Sequence, residues 1–233
     1  MIDARAVPLR PAHWPLSYRL IASRYPTVGL YDAIADPADL EAVYAIEALT
    51  NPRIRDQLGQ LQLVPPAERI AGAGSTPIMA AFTHLNPEGS RFSDGSYGVY
   101  YASNDLDTAI AEVGHHRALF LSRTHEPAID IDQRLITAPL AASLHDLRGL
   151  RRREPQLYHP SDYGAAQALG RALRAAGSWG VQYHSVRHAG GLCVGVFRPR
   201  ALQAAKQGAH IALHWDGQRI THWYEKRAPQ ALA

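Results

Sequence analysis

The sequence predicts an α+β fold built around a substantially antiparallel sheet. Three observations lead there. A helix-patterned stretch near the N-terminus gives way at about residue 77 to mixed strand and helix patterns, two strand pairs near the C-terminus are joined by short polar turns, and no segment repeats. At 233 residues the chain suits one domain with an elaboration. With 46% hydrophobic and 19% charged residues, it is neither a disordered nor a coiled-coil composition.

Prolines at 8, 11 and 15 mark an extended lead-in to a short strand, Ser17 to Ile21. Asp36-Pro37-Ala38-Asp39 then offers an N-cap, a proline at the first helical position and an acid in the first turn. Leu40, Val43, Tyr44 and Glu47 follow at helical spacing. Ile54, Leu58 and Leu61 suggest a second short helix, closed by Pro65-Pro66, so residues 33–76 read as a helical insert within a single domain spanning 1–233. Residues 78–83 and 97–102 read as strands joined by the polar loop Asn86 to Gly95. Asn104 is expected to cap a helix whose stripe is Leu106, Ala109, Ile110, Val113 and Phe120, with Glu112 on the neighbouring face.

A strand near 128–132 comes next, then a helix capped by Ser161, with Tyr163, Ala166, Leu169, Leu173 and Ala176 inward and Gly177 at its end. Residues 180–187 and 192–197 form a hairpin through His188-Ala189-Gly190-Gly191. A second hairpin, 210–215 with 218–225, turns at Asp216-Gly217, the dipeptide a type I′ turn prefers.

Absences narrow the chemistry. There is no phosphate-loop signature, no dinucleotide-binding glycine fingerprint, no H-E-x-x-H and no G-x-S-x-G. The single cysteine, Cys193, sits between Leu192 and Val194 as a buried, inert thiol, so no intramolecular disulfide forms and a reducing, cytoplasmic setting is expected. No apolar run is long enough for a membrane span, and Met1 to Arg5 carry no signal-peptide core. All but Lys206 and Lys226 of the 24 basic residues are arginine, yet net charge is only +3 and only Arg151-Arg152-Arg153 forms a run, so direct nucleic-acid binding ranks low despite a pI near 9.1. Glu112 and His116 stand one helical turn apart without a second copy of the motif, and no metal site is expected.

Five residues fall at strand ends or in the polar loop: Arg19, Arg91, Tyr100, Glu112 and Ser185. All but Arg19 lie within three ordered blocks: Ser90-Arg91-Phe92-Ser93 followed by Tyr97 to Ser103; Thr108-Ala109-Ile110-Ala111-Glu112-Val113; and His184-Ser185-Val186-Arg187 ahead of Gly190-Gly191 and Val194 to Phe197. In order and spacing these blocks resemble the RES-domain family, named for an arginine, a glutamate and a serine. The match is good over 77–200 and starts at Tyr18-Arg19, although Ser90-Arg91-Phe92-Ser93 departs from the family's usual Gly-Arg-Trp-Asn.

The resemblance implies the toxin of a bacterial toxin–antitoxin pair, with a split, ADP-ribosyltransferase-like sheet flanked by helices. NAD would be the substrate rather than a bound cofactor, consumed by hydrolysis or phosphorolysis, or used to modify a protein or nucleotide. The implied partner is an antitoxin with an Xre-type helix-turn-helix domain, and a homodimer within such a complex is one arrangement it allows. For that chemistry Glu112 would oppose the positive charge growing on the ribose, Arg19 and Arg91 would hold the diphosphate, Tyr100 would stack on nicotinamide, and Ser185 would fix the ribose or support Glu112. Tyr101, one residue on, is expected on the opposite face of the sheet.

Overall fold

Prolines 11 and 15 do not stop the first strand; Pro11 keeps its register opposite Ser143, and Pro15 sits within an irregularity. In the computed structural model, which describes residues 3–23, 31–32, 36–39, 42 and 59–227, β1 runs over Leu9–Ala22 and β3 over Ile129–Asp146, and the two pair antiparallel from Leu9↔His145 to Ala22↔Gln133. Their register shifts between Trp14 and Ser17, where Pro15 and Leu16 lie opposite Pro139, so two prolines without N–H donors are gathered at one bulge. The other strands are β2 (Tyr100–Ser103), β4 (Gly180–His184), β5 (Leu192–Val196), β6 (Lys206–Trp215) and β7 (Ile220–Lys226). The sheet order is β1-β2-β5-β4-β3-β6-β7, with β1 also paired to β3. Only β3–β4 is parallel.

This connectivity makes two ribbons, β1–β3–β6–β7 and β2–β5–β4. They join at Tyr18↔Ser103 and again at His145↔Val181. Strand alternation gives each ribbon an inner and an outer face. The inner faces share one core: Ala12, Ile136, Ala138 and Leu140 from the first ribbon meet Tyr100, Ala102, Val194 and Val196 from the second. Ile78, Met79 and Phe82 of helix α1 (Thr76–Thr83) pack into it. Helix α2 (Leu106–Leu121) places Ile110 against Leu20, Leu135, Ile211 and Leu213 on the outer face of the first ribbon. Helix α3 (Gly164–Ala175) places Ala166, Leu169 and Leu173 against Val181, Tyr183 and Cys193 on the outer face of the second. No helix among the described residues is long and apolar enough to cross a membrane.

Several expectations are corrected. Residues 78–83 are helical, not a strand: Pro77 lies in the first turn and Ile78, Met79, Ala81, Phe82 and Thr83 are all buried, which erases the amphipathic period. The strand expected over 97–102 is confined to β2, beginning at Tyr100. Asp105, not Asn104, caps α2, while Asn104 accepts from the Leu192 N–H. Phe120 is 58% exposed and lies outside the buried stripe. The short strand at 128–132 extends to Asp146, and Pro139 hid its second half. Ser161 makes no cap, and Ala176 is exposed, though Gly177 (φ 80°) ends α3 as expected.

Both hairpins are present. The β6–β7 turn is not type I′, because no described non-glycine residue has positive φ; Asp216 instead accepts the N–H groups of Gln218 and Arg219. Of the insert at 33–76, the described portions are short 3-10 turns at Pro37–Asp39, Leu61–Leu63 and Pro66–Glu68, ahead of α1. Of the helix expected over 40–47 only Ala42 is described, and it is helical; the helix expected from Ile54, Leu58 and Leu61 lies outside the described residues except at Leu61, which begins a 3-10 turn.

Candidate active site

The N-terminus of α2 is fastened by Asp105. Its Oδ1 accepts from the Thr108 N–H at 2.7 Å and its Oδ2 from the Thr108 hydroxyl at 2.8 Å. One turn further on, at i+4 from Thr108, Glu112 projects from the same side of the helix. The partner it meets comes from the loop after β4. Ser185 Oγ donates to Glu112 Oε1 at 2.6 Å and accepts the N–H groups of Arg187 (3.0 Å) and His188 (2.9 Å). With its acceptor positions filled by two donors, the Ser185 proton is directed onto the carboxylate, in the distance range of a charge-assisted bond. Glu112 Oε2 accepts no hydrogen bond from the described residues.

Cys193 lies beside the same oxygen, its Sγ 3.8 Å from Glu112 Oε1 and 3.6 Å from Ser103 Oγ. Burial, reinforced by the Glu112 charge, pushes its thiol up to about 12. The thiol therefore stays neutral and is no nucleophile. A second tie closes the loop onto the helix: Thr108 Oγ1 and His188 Nδ1 are 2.8 Å apart. Since the threonine proton goes to Asp105, His188 is assigned the tautomer that donates from Nδ1. Only glycine fits at 191, because a Cβ there would stand 2.4 Å from Thr108 Oγ1.

The polar loop approaches from the other side. Tyr101 OH accepts from the Phe92 N–H at 2.8 Å and shares a 2.8 Å hydrogen bond with Ser90 Oγ, which holds Arg91 between two fixed points. Arg91 is buried; its Nη1 donates to the carbonyls of Leu157 (3.2 Å) and His159 (3.0 Å), and its guanidinium lies 4.6 Å above the Tyr163 ring. Arg91 and Glu112 act on common neighbours. Burial raises Tyr183 well above the usual phenol value, with Glu112 adding to the rise and Arg91 opposing it. Burial likewise lowers His116, where Glu112 opposes the shift and Arg187 and Arg91 reinforce it. The charges of Glu112 and Arg91 are thus both felt at Tyr183 and His116.

Glu112 and Ser185 are therefore brought together, and Arg91, bonded to the carbonyl of Leu157 in the outer cluster of the second ribbon, lies on the same side of the sheet; Arg19 and Tyr100 do not. The pairs Tyr18↔Ser103 and Arg19↔Ile136 place Arg19 on the inner face, whereas Glu112 and Cys193 belong to the outer side. Arg19 donates Nη1 to the Tyr101 carbonyl at 3.0 Å and lies 4.8 Å above the ring of fully buried Tyr100. Burial lowers its pKa, with the two tyrosines opposing the fall. The tyrosine phase is the reverse of that expected: Tyr101 faces the site and Tyr100 the core, because register with β5 and β1 sets the phase of so short a strand.

Asp105, Thr108, His188 and Gly191 were not singled out as site residues. Asp105-x-x-Thr108 is readable as a cap, but nothing local links Thr108 to a histidine 80 positions away. Among the described residues no group of three or more His, Cys, Asp or Glu side chains is placed to hold a metal ion.

Comparison with known proteins follows the same segments. Residues 66–216 match the RES domain. The chain is 34% identical over 211 residues to the uncharacterized protein y4oC of Sinorhizobium fredii, covering 89% of this chain and 86% of that one. It is also similar to the crystal structure of the M. tuberculosis MbcT–MbcA toxin–antitoxin complex, with a TM-score of 0.46 and 11% identity over 96% of this chain and 89% of that one. With its matched segment holding Arg91, Glu112 and Ser185, the chain belongs to the RES-domain family.

Proposed function

We propose that the chain is the enzyme of a toxin–antitoxin pair and that it depletes NAD by breaking the bond between nicotinamide and ribose, on an ADP-ribosyltransferase-like split sheet. The observation that carries this reading is the Ser185–Glu112 hydrogen bond. It fixes one carboxylate oxygen and leaves the other for substrate, while Arg91 on the same side of the sheet is able to hold an anion. As the C1′–N bond breaks, its electron pair leaves with nicotinamide and positive charge develops on the ribose. A preorganised carboxylate stabilises that charge. Oε2 can then take the hydrogen bond of the 2′-hydroxyl or orient the incoming oxygen. Water or phosphate forms the new C1′–O bond and gives up its proton, and ADP-ribose or its phosphate ester departs. Transfer to a protein or nucleotide would share the first step and differ only in the acceptor. NAD is consumed in each case, so no further cofactor is needed. An antitoxin with an Xre-type helix-turn-helix domain is the partner this reading implies.

Purified protein incubated with NAD tests it. Nicotinamide should appear with free ADP-ribose, or with its phosphate ester in phosphate buffer. Release of nicotinamide only in the presence of extract, with label entering macromolecules, would replace degradation by transfer. No release under either condition would sink both readings.

Two variants separate the placed residues. Ser185→Ala removes a hydrogen bond to a charged group, a class of interaction contributing ~1.5–3 kcal/mol. Turnover should fall about ten- to hundredfold. Tyr100→Phe removes a hydroxyl sealed in the core and should leave NAD consumption within about twofold of wild type. A large loss there would show that the phenol works in the reaction and that the strand phase given above is wrong.

A further inference from the structure

We propose that Arg187 is the second half of a diphosphate seat whose first half is Arg91. The assignment rests on the NAD reading for its substrate but on separate observations for its geometry. Arg91 Nη1 is bound to the carbonyls of Leu157 and His159, and Arg187 Nη2 donates to the carbonyl of Pro160. Two guanidiniums are thereby tethered to neighbouring carbonyls of one turn. The accepting residues, His159 and Pro160, are consecutive, so both guanidiniums reach the same short stretch of chain.

Neither has a carboxylate partner among the described residues. Arg187 Nε is buried without an acceptor, and the Nε–Nη2 edge of Arg91 has no acceptor among the described residues. Unspent donors on two planar cations tethered to one turn suit an anion with several oxygens, which guanidinium groups bind in bidentate fashion.

The seat also lies at the reacting end of the site. Arg187 begins two residues after Ser185 and gives that hydroxyl its backbone N–H at 3.0 Å. The same turn therefore directs the Ser185 proton at Glu112 and sends a guanidinium toward Arg91. His115 and His116 report the local charge: burial lowers both, and Arg187 and Arg91 lower both further. A diphosphate would neutralise this pair, whereas Arg19, tied to a backbone carbonyl on the inner face, is not placed to join it.

Titration calorimetry at low salt with inorganic pyrophosphate tests the seat without any need for turnover. Wild type should bind it, Arg187→Ala should weaken binding at least tenfold, and Arg187→Lys, which keeps the charge but not the fork, should fall between. Arg219→Ala, which removes an exposed charge near the β6–β7 turn, should bind like wild type. In NAD turnover, Arg187→Ala should raise KM at least tenfold while kcat changes less than about threefold. Unchanged pyrophosphate affinity in both Arg187 variants overturns the proposal, as does an equal loss in Arg219→Ala. Wild type that binds pyrophosphate but never consumes NAD supports the seat and sinks the NAD reading alone.

Discussion

Glu112→Gln is expected to slow NAD consumption about a hundred- to thousandfold while leaving the fold and substrate binding intact. The glutamine keeps the volume of the side chain and can still accept the Ser185 hydrogen bond at its amide oxygen. What it loses is the negative charge facing the ribose as the glycosidic bond breaks, and a preorganised electrostatic contribution of this kind is worth ~2.7–4 kcal/mol. The second oxygen also becomes an NH₂ group, a donor where the substrate hydroxyl or the incoming nucleophile needs an acceptor. Nicotinamide release measured under saturating NAD checks this directly. NAD levels after induction in cells check the same point, and full potency of the Glu112→Gln protein there would end the proposed mechanism.

Phe92→Ala is expected to be the most damaging single change to stability near the site, at ~3–5 kcal/mol. Phe92 is 1% exposed and meets the Tyr183 ring edge-on at 5.1 Å between centroids. Its backbone is bonded at both ends, the N–H to Tyr101 OH at 2.8 Å and the carbonyl accepting from Tyr97 OH at 2.5 Å. The close approach of α3 prevents collapse of the vacated space, since a Cβ on Gly170 would already stand 2.2 Å from the Phe92 carbonyl oxygen. For a chain of this size the melting temperature should fall by roughly 6–20 °C. A shift below about 3 °C in a circular-dichroism melt would show that the surrounding cluster repacks. Arg91 is the adjacent residue, so activity should fall along with stability.

What the sequence revealed depended on how local each signal was. The β4–β5 and β6–β7 hairpins were readable because glycine and aspartate at the turns act within a few residues. Helix α1 was not: eight residues, five of them buried, leave no period to detect. The second half of β3 was masked by Pro139, whose missing donor is accommodated only because β1 bulges opposite it. At the site, Glu112, Ser185 and Arg91 were recognised through three ordered blocks rather than through any one of them. Arg19 and Tyr100 were misplaced relative to Glu112 because the face a strand residue occupies is decided by its neighbours in the sheet. Arg187 appeared in the sequence only as the end of a block and of an expected strand, and the role proposed for it rests on a carbonyl 27 positions earlier.

The clasp between Thr108 and His188 has a consequence for biosynthesis. Glu112 emerges from the ribosome long before Ser185, and the two meet only when a glycine-bearing loop 80 residues downstream closes over the helix start. On the proposed mechanism, a nascent chain carrying the carboxylate alone would therefore be latent, and potency would arrive only once that loop has been made and has closed.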